Sequence, residues 1–403
     1  MRDKGMDDAK TPASWIDAFD QLKELIRTST DAKKVVFIDE MPWMDTPRSG
    51  FIPALEHFWN GWASARKDVL LIVCGSATSW VINNLIKNHG GLHGRVTNKI
   101  HIKPFTLNEC EQYAKAKKLG MNRQMITEAY MVMGGIPYYW SYLDRGKSLS
   151  ANIDQLFFSE EGPLHNEYKE LYASLFKNPE PYQRVISVLG KKKSGLTREE
   201  ISNDAKLKEN GRLSTLLNDL EICGFIRKYN MFSCKSRNAI YQLTDPYTLF
   251  YFKFIQGNKN NDEHFWSHNL SSPVYYAWCG LAFERVCMDH LGQIKQALGI
   301  SGVVTNTFSW RVGGDASNKG AQVDMVIDRA DGIVDLCEMK YTRSSFVVEA
   351  DYYEALQNKR EMFAQTTKTD KALHLVAVSM KSVEQNMYSD IFQNIVTLDD
   401  LFC

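Results

Sequence analysis

The sequence predicts an α/β protein of several domains. Two near-continuous apolar runs, Val35–Ile38 and the one in DVLLIVCGSATSW (68–80), lie between segments of helical period, as in a parallel sheet covered on both faces. The pattern changes near residue 179 and returns to alternating helix and strand from about residue 273. At 403 residues the chain is long enough for two or three separate cores. Its 44% hydrophobic and 24% charged content is ordinary for a globular protein.

The elements follow in order. SWIDAFDQLKELI (14–26) sets Trp15, Phe19, Leu22 and Ile26 at helical spacing, and VVFIDE is the first buried strand. GFIPALEHFWNGWASARK is a helix with a wide apolar stripe, ending at Arg66 and Lys67 as a helix C-terminus favours. DVLLIVCGSATSW (68–80) is the second strand, and KIHIKPF (99–105) reads as a third. Two helices are marked next: one opens on the capping-box pattern Thr106 to Glu109, and one spans NRQMITEAYMVMGG (122–135). From 179 to about 255, PYQRVISVLG, LTREEIS and GRLSTLLNDLEICG are helices. FIRKYN and AIYQLTDP are strands around the tip MFSCKSRN, which makes a winged helix. In the last third, YYAWCGLAFERVCMDHL and YYEALQNKREMF are helices, and AQVDMVID, GIVDLCEMKYT and ALHLVAVS are strands. GNKNNDEH (257–264) reads as a linker.

Lys+Arg and Asp+Glu both total 48, so no global field marks a nucleic-acid binder. Residues 181–245 alone carry twelve Lys/Arg against seven Asp/Glu, with Arg227, Lys228, Lys235 and Arg237 on the wing. That local excess points to DNA phosphates as a partner; a packing or homo-oligomerisation module is the other use of such a unit. The eight cysteines show no CxxC pair and read as small buried residues of a reducing compartment. With no apolar signal region and no 18-residue apolar run, the expectation is a cytoplasmic protein without a membrane partner.

Three constellations can carry chemistry. Asp39 and Glu40 end a buried strand; there, one carboxylate can hold magnesium through water and its neighbour can polarise an attacking water. Ser76 ends the neighbouring strand, where a hydroxyl can sense a terminal phosphate, and Arg95 is either an arginine finger or a surface ion pair. A nucleotide site also needs a phosphate cradle, and no GxxxxGK[ST] occurs in the sequence. GKKKSG (190–195) has the wrong spacing. In the second constellation, Asp324 and Glu338 on successive strands are candidate magnesium ligands, with Lys340 to activate water and Glu284 as a helical acid. A charged strand edge with a Glu–Lys pair is the equally weighted alternative. The third is the basic wing.

Together these pieces resemble the archaeal-type ATPase family, P-loop ATPases of the AAA+/STAND neighbourhood with a C-terminal winged helix and a PD-(D/E)xK nuclease-like domain. The resemblance rests on SWIDAF, VVFIDEMPW, IVCGSATSW, GRV…KPF, MGGIPYYW, TDPYTLFYFKF, GLAFERV, QVDMVI and CEMKYT, and covers the chain from about residue 14. It implies a partial P-loop ATPase core at 1–105, a helical lid at 106–178, the winged helix at 179–256 and the nuclease-like, restriction-endonuclease-like domain at 265–403. It also implies Walker B roles for Asp39 and Glu40, a sensor role for Ser76, and catalytic roles for Arg95, Glu284, Asp324, Glu338 and Lys340, with ATP and magnesium as cofactors. Family members begin with a strand and phosphate-binding loop ahead of the DE strand, and this chain starts after both. The functions implied are a nucleotide-dependent switch or, alternatively, a magnesium-dependent DNA nuclease or a non-catalytic DNA-binding scaffold.

Overall fold

The computed structural model describes residues 11–76, 78–86, 90–192, 194–230, 232, 239–314 and 320–403. It is a mixed α/β chain in two compact units, one of residues up to 102 with 174–177, the other of 103–173 with 178–403.

In the first unit, helix α1 (Trp15–Thr28) starts where the Ser14 hydroxyl accepts the Asp17 N–H, and it buries Phe19 and Ile26. Strands β1 (Lys34–Ile38) and β2 (Val69–Val73) are parallel, in register from Lys34↔Val69 to Ile38↔Val73. After the short helix α2 (Met41–Met44), helix α3 (Phe51–Gly61) buries Phe51, Ala54, Leu55 and Phe58, with Phe58 stacked on Phe19 at 5.1 Å. Val36, Ile38, Leu71 and Val73 pack on that core. The alternate positions lie bare: Val35 is 62% exposed, Phe37 57%, Leu70 55% and Ile72 40%. This unit thus covers one face of its parallel sheet and leaves the other to water, against the usual burial of both.

Two expectations differ here. The stretch 99–105 forms no strand, and Ile100 and Ile102 are 88% and 87% exposed. Alternation alone does not make a strand without a pairing edge, and the Phe105 N–H goes to Gly135 O at 2.7 Å instead. Helix α3 stops at Gly61, short of Arg66. That guanidinium lies 4.8 Å over the Trp62 ring and donates to Asp68 at 3.0 and 2.6 Å. Together with Lys34 it holds the Asp68 carboxyl well below the usual carboxylate range.

The second unit opens with α4 (Leu107–Ala116), where Thr106 and Glu109 form both bonds of the capping box, and α5 (Arg123–Met133), capped by Asn122. Gly134 ends α5 at φ +60, and the buried Trp140 Nε1 donates to its carbonyl at 2.8 Å. Next come α6 (Pro179–Gly190), β3 (Leu196–Thr197), α7 (Arg198–Asp204), α8 (Gly211–Ile222), β4 (Ile226–Tyr229) and β5 (Ile240–Leu243). The three strands form an antiparallel sheet in the order β3-β5-β4. Helix α9 (Pro273–Asp289) then leads to β6 (Thr305–Val312), β7 (Ala321–Arg329), β8 (Ile333–Lys340), α10 (Ala350–Thr367), β9 (Ala372–Ser379) and β10 (Asn394–Thr397). These five strands make a mixed sheet, β10-β9-β8-β7-β6, antiparallel from β6 to β8 and parallel from β8 to β10.

The two sheets of this unit are joined directly. Arg311 Nη1 donates to Ser194 Oγ at 2.8 Å, the Phe232 N–H to Ser309 O at 3.3 Å, and Arg227 Nη2 to Asp289 Oδ1 at 2.6 Å. The Phe232 ring packs on Phe308 and Phe363. Among the described residues no helix is long and apolar enough to cross a membrane.

Candidate functional sites

The first site is built at the carboxyl ends of β1 and β2, where an open parallel sheet places its ligands. Asp39 follows β1 and accepts the Cys74 thiol at 2.6 Å and the Glu40 N–H at 3.0 Å on the same oxygen, Oδ1. The carboxylate beside it pushes the Cys74 thiol pKa up. Glu40 stands in the left-handed region at φ +46, a strain of about 1 kcal/mol or more for a residue with a side chain. That turn aims its carboxylate across the sheet: Glu40 Oε2 accepts Ser76 Oγ at 2.9 Å and Ser76 N at 3.3 Å. Gly75 makes the approach feasible, because a Cβ there would meet Pro42 Cδ at 2.6 Å. The structure therefore brings Asp39, Glu40 and Ser76 together. Arg95 is an exposed residue of the turn after Gly91, its N–H bonded to Leu92 O at 3.1 Å. Sequence reasoning missed Cys74, whose place beside Asp39 follows from the parallel register one residue beyond Ile38↔Val73.

Asp39 and Glu40 suit the carboxylate half of a magnesium-nucleotide site: hard oxygen donors at strand ends beside a hydroxyl. The phosphate half has no counterpart, since the sequence holds no GxxxxGK[ST] loop.

The second site lies on the five-stranded sheet. Asp324 on β7 accepts the Met339 N–H of β8 at 3.0 Å through Oδ2. Glu338 on β8 is 1% exposed, and both its oxygens are engaged, Oε1 by Lys359 Nζ at 2.5 Å and Oε2 by the Tyr352 hydroxyl at 3.0 Å. Lys340, expected to serve this centre, stays 4.0 Å from Glu338 and lies 4.6 Å over the Tyr352 ring. Burial, with Asp324 close by, raises the Glu338 pKa against the opposing pull of Lys359. Glu284 on α9 lines a cavity of about 30 Å³ with Asp324, roofed by Tyr229 and Gln242 of the three-stranded sheet. Among the described residues no group of three or more His, Cys, Asp or Glu side chains is set to hold a metal ion. Sequence reasoning missed Tyr352 and Lys359, although they stand two helical turns apart on an α10 face that also buries Phe363.

Of the wing residues, Arg227 is committed to Asp289 and Lys228 Nζ lies 5.9 Å over the Tyr241 ring. Lys235 and Arg237 lie outside the described residues.

No family model and no curated protein matches the chain. Among solved structures, a Walker-type ATPase of Pyrococcus abyssi aligns at 18% identity with a TM-score of 0.39, over 58% of this chain. The aligned part spans 65% of that protein's length. A likeness this loose transfers no residue roles.

Proposed function

We propose that this chain is part of an ATP-binding switch of the AAA+/STAND type, with Asp39, Glu40 and Ser76 as the hydrolytic half of its nucleotide site. The supporting observation is the Glu40–Ser76 pair, closed at 2.9 Å across the carboxyl ends of two parallel strands. Asp39 would hold magnesium through water, and the ion would neutralise charge on the phosphates. Glu40 orients and deprotonates the attacking water once its carboxylate is released. Ser76 supplies the release: its hydroxyl donates to Glu40 in this state and turns to the terminal phosphate when nucleotide is present. The reading requires a phosphate cradle besides these three residues, and no GxxxxGK[ST] occurs in the sequence. The bare face of Val35, Phe37, Leu70 and Ile72 supports such an addition, because a parallel sheet is stable when both faces are covered.

The test is magnesium-dependent ATP binding by the protein joined to a segment bearing GxxxxGK[ST]. Glu40→Gln is expected to leave binding intact and lower turnover by roughly 10²–10⁴-fold, the range for losing a general base. An extended protein that ignores millimolar ATP sinks the reading.

The fold readings for the rest of the chain are proposals of the same kind. The order helix, β3, helix, helix, β4, β5 supports a winged helix at 179–256, and Asp324 and Glu338 on adjacent strands of a mixed sheet support a nuclease-like ancestry for 265–403. DNA contact through the wing would rest on Arg227, Lys228, Lys235 and Arg237. Duplex binding that is insensitive to salt, or unchanged in Lys228→Ala plus Arg237→Ala, removes it.

A further inference from the structure

The acidic centre of the five-stranded sheet has the acids of a metal site and a different source of positive charge. Asp324 and Glu338 stand on adjacent antiparallel strands, with Glu338 almost wholly buried. Two like charges so placed need a cation, and leaving a buried carboxylate unpaired is among the costliest arrangements a fold can hold. A magnesium ion would meet that need with about six oxygens at roughly 2.0–2.1 Å, several of them from water. The oxygens of Glu338 are already engaged. Glu338 Oε1 receives Lys359 at 2.5 Å and Oε2 receives Tyr352 at 3.0 Å, while one Asp324 oxygen receives a main-chain N–H.

We infer that the Lys359 ammonium takes the place of the divalent cation at this centre, so that the sheet of residues 305–397 is neutralised from within and does not recruit a metal. The bridge is built into the helix. Lys359 lies mid-way along α10, whose Leu356, Met362 and Phe363 are buried, so the backbone that carries the ammonium is fixed over β8. Tyr352, two turns earlier, completes the clamp and carries Lys340 on its ring, 4.0 Å from Glu338. The centre then fastens α10 to the sheet and performs no hydrolysis. This inference is independent of the nucleotide site in the first unit.

Manganese titration of the full chain followed by EPR, with thermal melting in EDTA and in millimolar magnesium, tests it. The wild-type protein should bind no manganese that Asp324→Asn or Glu338→Gln removes, and should melt at one temperature in both solutions. Lys359→Met should lower that temperature by on the order of 5 °C or more, because it strands a buried carboxylate. Lys359→Arg should keep most of the stability, and Glu338→Gln added to Lys359→Met should restore most of what was lost. Manganese bound by the wild type and released by Asp324→Asn overturns the inference, as does a Lys359→Met protein that melts with the wild type. If Lys359→Met does not fold, the wild-type titration and the Lys359→Arg melt decide alone.

Discussion

Gly135→Ala should be the most damaging single-methyl change in the second unit. A Cβ at this position would stand 1.9 Å from the Phe105 carbonyl oxygen and 2.6 Å from its nitrogen, main-chain atoms that no rotamer change moves aside. The two strands of chain must part by more than an ångström, which breaks the 2.7 Å bond from Phe105 N–H to Gly135 O. The lost bond costs about 1 kcal/mol and the overpacking about 1–3 kcal/mol, so the expected loss is roughly 2–4 kcal/mol. Gly120→Ala is the control: φ is +66 there and nothing lies within 4 Å of the added carbon. Only left-handed strain applies, about 1 kcal/mol. Urea unfolding can be followed through tryptophan emission, to which Trp140 contributes, bonded to the neighbouring Gly134 carbonyl. If Gly135→Ala costs no more than Gly120→Ala, the close approach that defines this crossing is not in the molecule.

Further outcomes follow from other contacts. Buried His290 accepts the Leu107 N–H on Nε2 at 2.9 Å and turns Nδ1 to Val286 O at 2.8 Å, which requires the neutral ring. Burial lowers its pKa, so the unfolded chain takes up the proton first and stability should fall as pH drops below about 6.5; the urea midpoint of His290→Gln should lack that part of the slope. Asp335 runs the other way. Burial raises its pKa, so stability should decline as pH rises above about 4, and Asp335→Asn should flatten that decline in melts across pH. Thr106→Ala should cost about 1 kcal/mol by opening the capping box, measured by urea unfolding. Glu40→Gly should be about 1 kcal/mol more stable than Glu40→Ala, since only glycine relieves φ +46; equal stabilities would mean the left-handed turn is absent.

The features readable in the sequence are those written locally. Ser14 before a 3.6-residue period gives α1, and Thr-x-x-Glu gives the starts of two helices, because cap and helix are neighbours in the chain. The run VVFI next to DE placed the acids at a strand end, and the parallel register brought Ser76 to them. What was not readable depended on partners far away. The alternation in KIHIKPF meets no edge, so its isoleucines stay in water. The partner of Glu338 is Lys359, 21 residues on, rather than Lys340, since a side chain two along a strand lies beside the carboxylate while the helix above points into it. Arg227, expected to meet phosphate, also pairs with Asp289, a contact over 62 residues that only the packed structure reveals.

The half-covered parallel sheet also bears on how this polypeptide behaves in a tube. A ribbon of valine, phenylalanine, leucine and isoleucine side chains, on a sheet that has two strands among the described residues, is a template for other chains as much as for its own complement. Expressed as these 403 residues, the protein should gather into soluble oligomers or be held by chaperones, and the first unit should lose structure at lower denaturant than the second. Light scattering during purification reads this out: a monodisperse monomer would show that Phe37 and Leu70 do not drive self-association.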